Sequence, residues 1–152
     1  MVYIGADHRG YQLKEKLKKF LEELGHDCKD LGAFEYNKDD DYPDFSKKVA
    51  ESVVLRQAQD QNDRGILICG SGIGIAIAAN KIKGIRAGTA ISPEQVRDSV
   101  NDENLNVLAI SADYTGEKEA QEIVEAFLDT EFSGEERHIR RINEIKDIEN
   151  GN

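Results

Sequence analysis

The part of this sequence best suited to chemistry is a thiol at the end of an apolar run, followed by three alternating glycines: Gly65-Ile66-Leu67-Ile68-Cys69-Gly70-Ser71-Gly72-Ile73-Gly74-Ile75. Glycine permits a tight turn and lets a ligand approach the backbone, and a helix opening behind it presents unpaired N–H groups with partial positive charge. Cys69 beside such groups has a route to a lowered thiol pKa. Ser71 and the backbone of Gly70, Gly72, Ile73 and Gly74 are suited to holding an oxyanion. The segment matches neither common nucleotide loop. The pattern G-x-G-x-x-G needs glycine where Ile75 stands, and a phosphate loop needs Gly-Lys-Ser/Thr. The competing structural reading makes the glycines packing residues and Cys69 a small buried hydrophobe.

Two other polar groupings have chemical potential. Asp7-His8 closes the first apolar run, and Arg137-His138-Ile139-Arg140-Arg141 offers a basic patch for an anionic ligand. Arg137 and Arg141 lie one helical turn apart, a spacing that equally describes a solvated stripe. The run Asp39-Asp40-Asp41 reads as a solvated loop, since adjacent carboxylates lack metal-ligand spacing, and no metal or other cofactor is expected. With 30 acidic against 20 basic residues the net charge is -10, which argues against nucleic acid or an anionic membrane as partner. Cys28 and Cys69 form neither a C-x-x-C pair nor a Cys/His cluster, so neither zinc nor a disulfide framework is indicated and a reducing, cytoplasmic setting is expected. The opening Met1-Val2-Tyr3-Ile4-Gly5 meets Asp7, His8 and Arg9 too soon to be a signal peptide or a membrane span.

The elements that must position these groups alternate along the chain. Strands are expected at Val2–Gly5, Asp27–Asp30, Gly65–Cys69, Arg86–Ala90 and Asn106–Ser111. Helical periodicity falls on Tyr11–Leu24, on Phe45, Val49, Val53 and Val54, behind Gly72, on Gly116–Asp129, and on Ile142, Ile145 and Ile148. Ser92-Pro93-Glu94-Gln95 combines an N-cap serine, a proline at N1 and a capping-box glutamine. This alternation predicts a single α/β domain over residues 1–152, with a Rossmann-like doubly wound five-stranded parallel sheet of order 2-1-3-4-5 and helices on both faces. The switch point then falls between strands 1 and 3, whose C-terminal ends carry Asp7-His8 and Cys69-Gly70-Ser71.

Gly5-Ala6-Asp7-His8, Asp41-Tyr42-Pro43-Asp44, Ile68-Cys69-Gly70-Ser71-Gly72-Ile73-Gly74, Ala78-Ala79-Asn80-Lys81, Gly84-Ile85-Arg86-Ala87 and Arg137-His138 with Arg141 together make the chain resemble the B-type ribose-5-phosphate isomerase family. That family also contains the two subunits of galactose-6-phosphate isomerase. The resemblance runs from Val2 to about Ile148. It implies a metal-free aldose-ketose isomerase of sugar phosphates, working as a homodimer or homotetramer whose C-terminal helix reaches a neighbouring subunit. Cys69 would be the base, Ser71 and the loop N–H groups the enediolate stabilisers, and Asp7 the residue that holds or opens the sugar ring. His8, Arg137, His138 and Arg141 would face the phosphate end, and Asn80 would line the substrate site.

Five positions depart from the family pattern. Serine stands at position 71 where threonine is common. Asp102 occupies the place of a histidine thought to assist ring opening, and an aspartate accepts protons readily but donates few at neutral pH. Asp113 stands where an arginine or lysine is usual near the phosphate. Glu135-Glu136 replaces a glycine pair. Three functions are consistent with this pattern: a self-sufficient isomerase of ribose 5-phosphate or a related sugar phosphate, one subunit of a heteromeric isomerase whose homologous partner supplies the histidine, and a non-catalytic sugar-phosphate binder.

Overall fold

The computed structural model describes residues 1–57 and 62–151. Among the described residues, eleven elements follow in chain order, strands and helices alternating up to a final pair of helices: β1 (Val2–Ala6), α1 (Tyr11–Glu23), β2 (Cys28–Asp30), α2 (Tyr42–Gln57), β3 (Arg64–Cys69), α3 (Ile73–Ala79), β4 (Ala87–Thr89), α4 (Pro93–Glu103), β5 (Val107–Ser111), α5 (Glu117–Asp129) and α6 (Glu136–Glu149). All strand pairs are parallel. Each strand must therefore return to the same end of the sheet through a helix.

The expected Rossmann-like α/β class holds, with one correction to its topology. The strand order is β2-β1-β3-β5-β4, so the last two strands are exchanged relative to the sequence-based order. Burial explains the exchange. All but the last residue of β5 is buried, and β5 pairs with β3 over five positions, from Gly65 with Val107 to Cys69 with Ser111. The three-residue β4 has no buried residue and sits at the edge, bonded to β5 alone. A continuous apolar strand needs cover on both faces and takes the interior, while a short half-exposed strand serves as an edge.

Side-chain alternation along the strands feeds two separate cores. Val2, Ile4, Ala6, Ile66, Ile68, Leu108 and Ile110 meet α1, α4 and α5 through Leu17, Val100, Ile123 and Phe127. Tyr3, Leu67, Cys69, Val107 and Ala109 meet α2 and α3 through Val49, Val53, Ile75 and Ala79. Cys69 therefore projects toward α2 and α3. The capping signal before α4 is realised: the Ser92 hydroxyl accepts the Gln95 N–H at 3.2 Å, and the Gln95 side chain accepts the Ile91 N–H at 2.8 Å. No helix among the described residues is long and apolar enough to cross a membrane.

Candidate active site

The C-terminal ends of β1 and β3 flank the point where the chain changes direction across the sheet. In open α/β sheets that crevice is where ligands bind. Cys69 ends β3, and its sulfur accepts the Gly72 N–H at 3.2 Å. Gly72 has φ +75, a left-handed conformation that an L side chain enters at a cost of about 1–2 kcal/mol. The turn aims this N–H at the thiol because Gly72 can adopt that angle. Ser71 is exposed, and its hydroxyl accepts the Ile73 N–H at 3.2 Å. The helix behind the loop, α3, has only seven residues, so the N–H groups act on the site as individual donors more than through a long helix dipole. The Tyr42 ring packs against the open face of Gly74.

Across the crevice, the β1–α1 turn docks on the same strand. Asp7 donates its N–H to the Ile68 carbonyl at 3.2 Å, and its carboxylate accepts the Gly10 N–H at 3.0 Å. Burial pushes the Asp7 carboxyl above its ordinary value, with the neighbouring Asp40 charge adding to the shift. The Gly10 and Arg9 N–H groups and His8 act against it. Asp40 Oδ1 binds His8 twice, at 3.0 Å from the backbone N–H and 2.6 Å from ring Nδ1. The middle of the acidic run thus turns inward, against the expectation of a solvated loop. Asp7, His8 and Asp40 place ligand atoms within 4.8 Å of one another, the geometry that a cation would require.

Arg9 completes this rim. Its guanidinium pairs with the Asp113 carboxylate and lies over the backbone of Gly70, where an added Cβ would overlap it. Arg9, Asp40 and Tyr42 were not singled out as site residues from sequence. The signals in the sequence are that Arg9 follows His8 directly, that Asp40 is the middle of the run Asp39-Asp40-Asp41, and that Tyr42 belongs to Asp41-Tyr42-Pro43-Asp44.

The remaining expected site residues lie elsewhere. Asn80 bonds the Ala87 backbone through both amide atoms at 2.8 Å, fixing the start of β4. Helix α4 runs back from the C-terminal end of β4, so Asp102 emerges near the N-terminal end of the sheet. There Arg64, the first residue of β3, donates to the Leu105 carbonyl. His138 is buried in that region, 2.9 Å from the Ser133 hydroxyl and 3.6 Å from Asp102. Arg137 and Arg141 are exposed on α6, with Arg137 paired to Glu135 at 2.8 Å. Within one chain, Asp102 and these arginines are separated from Cys69 by the length of β3, roughly 17 Å for a strand of this size. The expected site is therefore divided between the two ends of the sheet.

Fold and crevice together define an α/β protein whose parallel sheet has a switch-point crevice of the kind in which such folds bind small molecules. A family profile described as Ribose/Galactose Isomerase matches residues 2–145, and the chain belongs to that family. Among solved structures, ribose-5-phosphate isomerase B of Clostridium thermocellum is 41% identical, with 99% of this chain and 97% of that one covered and a TM-score of 0.91. The ribose-5-phosphate isomerase B of Mycoplasma genitalium with bound ribulose-5-phosphate is 37% identical at the same coverage, with a TM-score of 0.91. The ribose-5-phosphate isomerase B of Mycobacterium leprae is 40% identical over 148 residues, 97% of this chain and 89% of its own length.

Proposed function

We propose that this chain is a ribose-5-phosphate isomerase that works through an enediolate, with Cys69 as the base. The observation that carries this reading is the Cys69 thiol, which accepts an N–H within the glycine turn at the switch point. It is joined by the likeness over nearly the whole chain to a relative solved with bound ribulose-5-phosphate. Cys69 takes the proton from carbon 2 of the open aldose, and the electron pair moves onto the carbonyl oxygen as the enediolate. The thiol, whose proton exchanges with solvent while the enediolate persists, then delivers a proton to carbon 1, and the ketose forms. Ser71 and the loop N–H groups meet the charge that develops on oxygen. Asp7, whose carboxyl is held above its ordinary value by burial, stays protonated to higher pH than a free aspartate and is suited to opening the ring.

The divided site supports a second copy of the chain as part of the enzyme. A partner would bring its own Arg137, Arg141 and Asp102 to this crevice, covering Ile73, Ile77, Ile91 and Tyr114, which are exposed by 52% to 83%. No cofactor is required by these steps, and a reducing, cytoplasmic setting suits the free thiol.

Proton NMR of the purified chain with ribose 5-phosphate in deuterated water tests the reading. Deuterium should enter carbon 1 of the accumulating ribulose 5-phosphate and, by reversal, carbon 2 of the ribose 5-phosphate. Binding without exchange would make the chain a sugar-phosphate binder, and exchange only after a homologous chain is added would make it one half of a heteromer.

A further inference from the structure

We propose that Arg9 receives the phosphate of the substrate at the Cys69 crevice, displacing Asp113, which occupies that place as a resident anion. The proposal rests on the isomerase reading above and adds a specificity residue to it.

The contacts place Arg9 where a substrate anion must arrive. Its guanidinium covers Gly70, the residue that follows the thiol, and it stands two positions from Asp7 in a turn pinned to β3. Asp113 is brought to the same spot by backbone geometry. Its N–H bonds the Gly70 carbonyl at 3.1 Å, and the Ala112 N–H bonds the Cys69 carbonyl at 2.9 Å. The Ser111 hydroxyl also donates to Gly70 at 2.7 Å, so the loop after β5 is held independently of the ion pair. Losing the Arg9 contact therefore leaves the loop in position.

The chemistry of exchange follows from the two partners. A guanidinium offers the same planar fork to a carboxylate and to a phosphate, and a phosphate carries the larger charge. The resident pair is easily displaced: the side chains are 55% and 33% exposed, and ion pairs so placed are weak. A chain of net charge -10 needs a local cation to admit an anionic sugar. Within one chain Arg137 does not fill that need, being paired with Glu135 at the far end of the sheet.

The test measures kcat and KM for ribose 5-phosphate, with calorimetric binding of inorganic phosphate, in the wild-type chain and in Arg9→Ala, Arg9→Lys and Asp113→Asn. Arg9→Ala should raise KM and the phosphate Kd by about 10–100-fold, the usual worth of a charge-assisted hydrogen bond, with little change in kcat. Arg9→Lys should recover part of the loss. Asp113→Asn should tighten phosphate up to about 5-fold, the scale of an exposed ion pair. Wild-type turnover with KM and Kd unchanged in Arg9→Ala overturns the role of Arg9 and leaves the isomerase standing. Phosphate binding that depends on Arg9 without wild-type turnover overturns the isomerase reading and keeps the site. Phosphate that fails to bind the wild type overturns the site, and binding weakened in Asp113→Asn overturns the exchange.

Discussion

A single carboxylate oxygen, Oδ1 of Asp40, holds both the backbone N–H and ring Nδ1 of His8. With Nδ1–H given to a carboxylate, the tautomer is set and Nε2 is left for a ligand. The second oxygen, Oδ2, is buried with no hydrogen-bond partner among the described residues. Asp40 is therefore a positioning residue for His8. Asp40→Ala should raise KM for ribose 5-phosphate severalfold and reduce kcat less, because the imidazole is released to rotate. Asp40→Asn, which keeps an acceptor oxygen, should fall between Ala and wild type. Steady-state kinetics of the three proteins check this.

Cys69→Ala should reduce turnover by at least about 10³-fold while the fold survives, since a positioned base contributes about 10²–10⁴ and the residue is small. Incorporation of deuterium at carbon 1 of ribulose 5-phosphate and the thermal midpoint are the two readouts. The other cysteine is a built-in control. Burial, reinforced by Asp30, pushes the Cys28 thiol up to about 11. Iodoacetamide at pH 8 should leave Cys28 unmodified in the folded protein, because only the thiolate reacts.

Gly72→Ala should damage both stability and chemistry. A Cβ at φ +75 would stand 3.0 Å from the Ser111 nitrogen and 3.1 Å from the Ile110 carbonyl carbon, both backbone atoms with little freedom to move. About 2 kcal/mol should be lost in urea unfolding, from the left-handed backbone and the crowding together. Proton exchange at carbon 2 should fall in parallel, because the Gly72 N–H no longer points at the thiol.

Asp30→Asn tests the buried cation network. Lys14 is fully buried and bonds Asp30 at 2.6 Å, and Lys18 bonds the same carboxylate at 2.6 Å. Burial is the largest single influence on the Asp30 carboxyl and would raise it, but the Lys14 and Lys18 bonds, with the Gly32 N–H, together bring it below its ordinary value of 3.8. The stability from this depression is fully present above 3.8 and is lost as the pH falls through the lower folded value. Asp30→Asn should therefore be destabilised by about 3 kcal/mol at pH 7, and the gap to wild type should narrow below about pH 3.8. Urea unfolding across pH 7 to 3 measures it.

Asp7 has the opposite sign. Its folded value is raised, so the carboxyl favours the fold below the unfolded value of 3.8, and that contribution is lost as pH rises through the folded value. Asp7→Asn keeps an oxygen for the Gly10 N–H and removes the cost of a buried charge. It should melt higher than wild type at pH 7 while isomerising more slowly. A lower melting temperature would mean that the charged form is held by contacts stronger than its desolvation.

Local chemistry made much of this legible in the sequence. The glycine turn after Cys69, the alternating apolar strands and the Ser92 cap depend on residues a few positions apart, and the α/β class follows from their succession. The switch point expected between strands 1 and 3 brings Cys69, Ser71, Asp7 and His8 together at one crevice, and the family resemblance assigns their roles. Tertiary structure decided what depends on distant pairing. It placed β5 inside β4, because the buried strand takes the interior whatever the chain order. It joined His8 to Asp40 over 32 positions and Arg9 to Asp113 over 104, contacts that no periodicity encodes. It also sent Asp102 and Arg137 to the opposite end of the sheet from Cys69, because a helix between parallel strands must run back along them before the next strand begins.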